Sequence, residues 1–500
     1  MTRHGSNEAV TAEVFNADVF KAGYLPGLRD DEVRWQRLQL GTPNDSLSVD
    51  VPVLSPEQFK TLASRVRHAS RVHLKSLLVS DIVRSIDSAI ARLLDTQDPY
   101  RQALERLLPR ATGFDAAMVR LSLHSYLQTF RGLQLQRFVA EDLANPKLLD
   151  EFQPRLKGGW SKAIGPDLLV HVWSGNVPAL PLWSFVSGLL VKAGAIGKMA
   201  SAEPVFASLF ARLLAEVEPR WADCFAVVWW QGGDDGVESC VFAEADVVLA
   251  YGGNTALRAM QDRMPVTTRF LPHGHKLSFG MVSNAALSVL RGQATARAAA
   301  LDVVRWDQQG CYSPQVFFVQ RGGPVQPLEF AQRLASELAA LASKFARRTL
   351  TLEEAASIAG WREQHEFESL RQAGHRVLGD ATQAFTVVYA EAPHTLQPSP
   401  LNRCVLVVAV DSLHDVMALI APQRANLQTV GLAAAPEELL ALGEALGQAG
   451  VTRICALGAM TSPEAGWHHD GRFSLLDLVR MVDIDQSAEL AAEGLTRYEL

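Results

Sequence analysis

Cysteine is scarce in this chain: five in 500 residues, at positions 224, 240, 311, 404 and 455, with no CxxC pair among them. That excludes a zinc ribbon and gives no sign of a disulfide framework. An excess of basic charge is also missing. Lys and Arg total 47 against 54 Asp and Glu, for a net charge of -7 without a basic stripe, which argues against nucleic acid as a partner. Long apolar runs are absent as well. The longest, VPALPLWSFVSGLLV, is too short to span a membrane and is broken near its start by Pro178 and Pro181. The opening MTRHGSNEAV lacks the apolar core of a signal peptide, so the expectation is a cytoplasmic protein. There is no internal repeat and no low-complexity segment.

What remains is an ordinary globular composition, 48% hydrophobic, 20% charged and 8% aromatic, in a chain long enough for two or three compact units. Residues 1 to about 55 read as irregular, punctuated by Pro and Gly. From Ser55 to about Asn145 the period is helical. AAMVRLSLHSYLQTF, for example, places Val119, Leu123, Tyr126, Leu127 and Phe130 on one face. After PRLKGGWSKAIGP the texture changes to short β-like runs separated by single helices. DLLVHVW, AIGKMA, CFAVVWW and DVVLAYG read as strands, and VPALPLWSFVSGLLVKAG as a helix with Pro in its first turn. SAEPVFASLFARLLAEVE reads as a helix capped by Ser201, with a stripe of Phe206, Leu209, Phe210, Leu213, Leu214 and Val217. Strands alternating with helices predict a parallel, doubly wound sheet. Beyond Met264 a second alternating region follows, with VFFVQ and CVLVVAV as strands. The reading is an α/β enzyme with a cleft between two lobes.

Five segments compete for chemistry. In DQQGCYSP, Cys311 follows a polar turn and precedes an apolar strand. Free cysteine is usually buried packing, and that is the reading for Cys224, Cys240, Cys404 and Cys455. Cys311 instead sits on a loop delivered by rigid elements. There, backbone N–H groups beside the sulfur would favour thiolate and offer donors to an oxyanion. Both readings of Cys311 stay open on the residues alone. Asn176, in HVWSGNVPALPLW, stands where a strand gives way to a helix, either as a cap or as an amide donor aimed across the cleft. Lys198, at the end of AIGKMA, is a solvated lysine or a ligand for ribose or phosphate. Gly252 and Gly253 form a tight strand–helix turn, which is also a place for phosphate. His273 and His275, in FLPHGHKLSFG, make an HxH pair with no further carboxylate or cysteine cluster in sequence, so no metal is expected; one of the two could line the cleft.

Taken in order, these stretches resemble the aldehyde dehydrogenase superfamily, and within it the LuxC-type acyl-CoA reductases, from about residue 150 to the C-terminus. GNVPALP resembles the Asn-x-Pro segment that supplies an oxyanion-hole amide, which falls on Asn176. GKMAS resembles the segment whose lysine contacts the adenosine ribose, which falls on Lys198. AYGGNT resembles the turn beneath the cofactor pyrophosphate, QQGCYSP the nucleophile loop, and GWHHDGRFSLLDLVRMVDID the end of LuxC-type chains. Two departures carry information. Pro272 stands where hydrolytic members carry the glutamate that activates water, which favours reduction of an activated thioester over oxidation. Ser201 stands where the lysine segment usually ends in glutamate, which removes repulsion against a 2′-phosphate and makes NADPH acceptable. No equivalent of the superfamily's later ribose-clamp glutamate is found; LQPSPLNRCVLVVAV occupies that place.

The resemblance implies an aldehyde dehydrogenase-like α/β fold. Residues 1–150 would form a helical N-terminal region belonging to the cofactor domain, 151–170 a hairpin for oligomerisation, and 171–270 the dinucleotide-binding domain. Residues 271–455 would form the catalytic domain with the cysteine, and 456–500 a tail with an oligomerisation strand. It implies a homo-oligomer, NADPH as cofactor, Cys311 and Asn176 as catalytic residues, and Lys198, Ser201, Gly252 and Gly253 as cofactor-binding residues. The substrate would be an acyl-CoA or another acyl thioester, with an acyl-protein synthetase or acyl carrier protein as partner. An aldehyde oxidiser using His273 or His275 as base, or an acyl-carrying subunit without hydride transfer, are the alternatives.

Overall fold

The computed structural model describes residues 19–42 and 45–495. Two largely parallel sheets dominate it, built one after the other along the chain. The first has five parallel strands, with Leu168–Val172 at the centre. Gly194–Lys198 and Phe225–Val228 lie on one side of it, Val247–Tyr251 and Arg269–His273 on the other. In order of appearance the strands run 3-2-1-4-5, so the order reverses between the first and fourth. Open α/β sheets bind ligands at that point, beyond the carboxyl ends of the strands. Both faces are covered, which is why LLVHV and VVLAY are buried at every position rather than at alternate ones.

The helix expected after Asn176 is Pro181–Leu190, with Pro181 in its first turn and every residue buried. The next runs Val205–Val217 and buries the expected stripe from Phe206 to Leu214. Its start differs from expectation. Ser201 does not cap it; the buried Glu203 does, accepting from the N–H groups of Val205 and Phe206 at 2.8 Å each. Pro204 has no N–H and can stand only at the very start of the helix, which moves that start past Ser201.

The second sheet has seven strands in the order His375–Leu378, Thr386–Ala390, Cys404–Val410, Pro314–Gln320, Leu277–Val282, Leu427–Ala433 and Arg453–Ala456. Only the first of these is antiparallel to its neighbour. The region from Ser55 is helical as expected, in five helices between Pro56 and Leu143, the first capped by Ser55. Val119, Leu123, Leu127 and Phe130 are buried in a core shared with the helices of the first sheet.

The N-terminal expectation fails where it can be compared. Residues 1–18 lie outside the described residues, but Val19–Lys21, Arg34–Thr42 and Asp45–Val53 are strands of a three-stranded sheet, not irregular chain. The alternation in DSLSVDVPV, which buries Leu47, Val49 and Val51, carries the strand signal that Pro and Gly nearby obscured. In the segment RLKGGWSKAIG, Trp160–Ile164 pairs with Gln153–Pro154 on one side and with the tail strand Arg480–Ile484 on the other, both antiparallel. Among the described residues no helix is long and apolar enough to cross a membrane.

Candidate active site

Cys311 lies in the turn just before strand Pro314–Gln320, at the amino end of the second sheet and facing the carboxyl ends of the first. Its carbonyl accepts from Ser278 Oγ at 2.7 Å, and that hydroxyl accepts in turn from Thr429 N–H at 3.1 Å, which ties the turn to two neighbouring strands. Gln308 fastens the other side through its Nε2, 2.7 Å from the Pro314 carbonyl. The residue is half-buried. The backbone at Cys311 and Tyr312 and the Gln428 side chain each act to favour the anion. The balance nevertheless runs against the thiolate that the loop was expected to favour. Burial pushes the thiol up to about 11, and the Asp470 charge adds to the effect, outweighing these three. Desolvating the sulfur costs the anion more than they return, so the thiol needs a proton acceptor.

Asn176 follows the central strand of the first sheet. It is not a helix cap, since the helix begins five residues later. Its Nδ2 donates to the Gln309 carbonyl at 2.6 Å, two residues before Cys311, while its Oδ1 accepts from Ser174 Oγ at 2.6 Å. The amide thus reaches across the cleft to the nucleophile loop with its orientation fixed.

A cleft brings together Cys311, Asn176, Gly252, Gly253, His273 and His275. Gly253 begins helix Asn254–Asp262 at the point where the strand order reverses. A Cβ on Gly253 would meet nothing within 4 Å, and one on Gly252 nothing closer than 3.9 Å. The turn therefore presents bare backbone and a helix N-terminus to open space, a surface that fits a pyrophosphate. Pro398, Ser399 and Leu401, where the ribose-clamp glutamate was sought, line the same cleft. Lys198 and Ser201 do not line it; Lys198 ends the strand Gly194–Lys198 beside the central one, and Ser201 lies just past that end. Lys198 Nζ lies 5.8 Å over the Trp230 ring, and burial lowers its pKa. Ser201 Oγ accepts from Trp229 Nε1 at 2.9 Å.

Between Cys311 and this turn lies a group that motif reading missed. His273 Nδ1 is 2.8 Å from Asp470 Oδ2, and Asp470 Oδ1 accepts from Gln428 Nε2 at 2.7 Å. Asp470 adopts φ +55, uncommon for a side-chain-bearing residue, to reach both. His273 and Gln428 hold its carboxyl well below the usual carboxylate range. His469 stacks on His273 at 4.4 Å between ring centroids and 17° between planes, and burial pulls it down to about 3. His273 and His469 lie face to face, so their in-plane nitrogens do not converge on one point, and the contact is a hydrogen-bonded pair beside a neutral ring. His275 is exposed. The signal was in GWHHDG, which places two histidines and an aspartate before a turn-forming glycine.

On its other side Cys311 opens into a second cavity. Leu123 and Tyr126 from the helical layer, Val177 and Trp183 from the segment after Asn176, and Trp306 and Trp467 give it an apolar wall. Asn176, Cys311, Leu180, Gly310, Tyr251 and His469 line both spaces. The nucleophile therefore stands at the junction of a polar cleft and an apolar one.

A two-lobed α/β fold with the dinucleotide-type sheet facing a cysteine loop is the aldehyde dehydrogenase architecture, and solved structures match it over nearly the whole chain. The aldehyde dehydrogenase KauB from Pseudomonas aeruginosa superposes with a TM-score of 0.72 at 12% identity, covering 95% of this chain and 98% of that one. An NADP-dependent glyceraldehyde-3-phosphate dehydrogenase from Bacillus halodurans C-125, complexed with NADP, gives 0.68 at 13% identity, covering 90% and 96%. Within that class the sequence is more specific: the family model for acyl-CoA reductase (LuxC) matches residues 74–481, and the chain belongs to the LuxC family. It is 26% identical over 453 residues to the long-chain acyl-protein thioester reductase of Photorhabdus luminescens, covering 90% of this chain and 89% of that one. It is 28% identical over 416 residues to the protein of the same name from Aliivibrio fischeri, covering 81% and 82%.

Proposed function

We propose that the protein reduces a long-chain acyl thioester to the aldehyde with NADPH, through a thioacyl intermediate on Cys311. The observation that carries this reading is the position of Cys311 at the meeting of the apolar cavity and the cleft beneath Gly252 and Gly253. The Cys311 sulfur attacks the thioester carbonyl carbon. The oxyanion accepts from the Cys311 N–H and from Asn176 Nδ2, which leaves the Gln309 carbonyl to do so. His273, its imidazole held by the Asp470 carboxylate, takes the thiol proton and returns it to the departing thiolate of CoA or of an acyl-carrying protein. NADPH, when bound, supplies the hydride that turns the acyl carbonyl into a second oxyanion. The same two donors hold it until it collapses, breaking the C–S bond to release aldehyde and the Cys311 thiolate, which takes up one proton from solvent through His273 to restore the thiol. Gly252 and Gly253 would carry the pyrophosphate and Lys198 the adenosine ribose, and Ser201 offers no carboxylate against a 2′-phosphate. The names of the relatives support an acyl-protein donor, delivered by a synthetase or carrier protein. The half-exposed Met481, Val482 and Ile484 of the tail strand support assembly of copies along that edge.

The imidazole–carboxylate pair in the cleft also favours a second reading, aldehyde oxidation, because it is a base of the kind that activates water despite Pro272. One experiment tests both. The intact protein is exposed to a panel of acyl-CoAs, its mass is measured, and NADPH is then added. An acyl adduct that Cys311→Ala does not form, and that NADPH discharges as aldehyde faster than water discharges it as acid, is the expected result. Discharge to acid without NADPH would favour the oxidative reading, and an adduct on Cys311→Ala would overturn the role of the cysteine.

A further inference from the structure

Far from the cleft, helix Leu352–Arg371 lies against the outermost strand of the second sheet, three strands away from the strand that follows Cys311. Strands are spaced ~4.8 Å apart, so the two places are separated by at least about 14 Å. The helix has little to hold it by hydrophobic burial. Of its 20 residues only His365 is buried, while Leu352, Phe367 and Leu370 are 87%, 61% and 85% exposed. His365 meets a second buried histidine, His375, on the strand.

The three polar atoms here form a closed triangle. His365 Nδ1 lies 3.1 Å from His375 Nε2 and 3.0 Å from Glu368 Oε2, and the third side, His375 Nε2 to Glu368 Oε2, is 3.4 Å. The ring centroids are 5.2 Å apart, much farther than the nitrogens, so the rings meet edge to edge with their nitrogens facing inward. Hydrogen bonding does not satisfy this arrangement. Each nitrogen carries at most one in-plane proton or one lone pair. With both protonated, both donate to Glu368 and the N–H groups oppose each other. With one protonated, at least one side of the triangle sets lone pair against lone pair. A cation at the centre makes all three sides favourable at once. A tetrahedral ion with bonds of ~2.0–2.1 Å places its ligands roughly 3.3 Å apart, within the observed range. Glu368 Oε1 is engaged by Gln364 Nε2 at 3.2 Å, which turns Oε2 toward the histidines, and Trp361 meets the His365 ring at 4.6 Å as an apolar wall.

We infer that His365, Glu368 and His375 form a three-ligand site for a zinc-class divalent ion, which clips helix Leu352–Arg371 to the edge of the catalytic sheet and leaves a fourth position to water. This departs from the expectation of no metal, which weighed only the HxH pair at 273 and 275. Ligands at i and i+3 on a helix with a third ten residues on, across a turn, carry no fixed motif spacing. Two imidazoles and one carboxylate suit zinc rather than calcium or magnesium, which take oxygen ligands.

The test uses the full chain, stripped with a chelator and dialysed against Zn²⁺, with bound metal counted by mass spectrometry for the wild type, His375→Gln, Glu368→Gln and His273→Gln. The wild type and His273→Gln should each hold one tightly bound equivalent that His375→Gln lacks. Glu368→Gln should bind more than about 100-fold more weakly, beyond the 10–100-fold effect of losing an outer-shell partner. Zinc should also raise the melting temperature of the wild type but not of His375→Gln. A wild type without tight zinc, a His375→Gln that keeps it, or an equivalent lost in His273→Gln instead would each overturn the site. Should His375→Gln fail to fold by circular dichroism, Glu368→Gln decides alone, since its side chain is partly exposed and glutamine keeps its shape.

Discussion

Arg403 Nε lies 2.6 Å from Asp307 Oδ1, an ion pair whose two side chains are only 1% and 3% exposed. Each residue belongs to a run of three left-handed, side-chain-bearing residues: Trp306, Asp307 and Gln308 on the nucleophile loop, and Leu401, Asn402 and Arg403 before the neighbouring strand. The runs interlock. Asn402 N–H donates to the Asp307 carbonyl at 3.0 Å, and Gln309 Nε2 donates to Asn402 Oδ1 at 3.2 Å. Strained backbone of this kind costs ~1–3 kcal/mol per residue and persists only where its surroundings enforce it. Arg403 also donates to the Phe345 carbonyl at 2.9 Å. The pair therefore holds a loop that would otherwise relax, gripping it four residues before Cys311.

Arg403→Ala leaves Asp307 buried without its partner. The expected loss is about 3–5 kcal/mol of unfolding free energy, read as a lower urea midpoint, together with slower acylation of Cys311 in the protein that remains folded. Asp307→Asn keeps the shape but not the charge and should lose stability in the same direction. An Arg403→Ala protein of unchanged midpoint would show that the strained turns are held by something else.

A thiol raised to about 11 has a distinct pH signature. Alkylation by iodoacetamide needs thiolate, so its rate at Cys311 should climb about tenfold per pH unit from 7 to 9 without levelling near ~8.5, the ordinary thiol value. Mass mapping separates Cys311 from the other four cysteines. The stability linkage follows the same sign. The folded state keeps the proton more tightly than the unfolded one, so the contribution is full below the unfolded value and is lost as pH rises toward 11. Cys311→Ala should flatten that alkaline decline.

Asp470 acts on two partners in opposite ways, and this separates a working role from a structural one. It orients His273, and its charge helps hold the Cys311 thiol protonated. Asp470→Asn should therefore speed iodoacetamide labelling of Cys311 at pH 8 while lowering kcat for thioester reduction by ~10²–10⁴-fold, the range for a lost general acid–base group. KM should change little. A general loosening of the site would also speed labelling, but would raise KM as well and shift the melting temperature.

The alternation of the two sheets was legible because parallel strands covered on both faces become unbroken apolar runs, as VVLAY and CVLVVAV show. Cys311, Asn176, Gly252 and Gly253 were legible because each sits at a strand end beside a turn signal, and one cleft brings all four together. The left-handed runs were not, because residues such as Trp306 and Arg403 give no local sign of positive φ; only contacts nearly a hundred positions apart enforce it. Asp470 escaped for the same reason, reaching His273 from 197 residues away. Ser201 was misread because the capping pattern gave no weight to Pro204, which delays the helix, or to Glu203, whose buried carboxyl is pushed up to about 7.

The apolar cavity should set the acyl chain that is accepted. Each methylene buried there contributes ~0.8 kcal/mol, so kcat/KM should rise about fourfold per added carbon until the cavity is filled. Ser125 lines it, half-buried on helix Ala116–Gln128, the helix that also contributes Leu123 and Tyr126. A Ser125→Trp ring projecting inward shortens the usable length without touching Cys311 or Asn176. Across a series of saturated acyl-CoAs the variant should keep wild-type kcat/KM for short chains, then stop gaining several carbons earlier than the wild type, with the deficit appearing in KM. Equal losses at every chain length would place the acyl group elsewhere, because a plug in the path of the chain has no means of slowing substrates that never reach it.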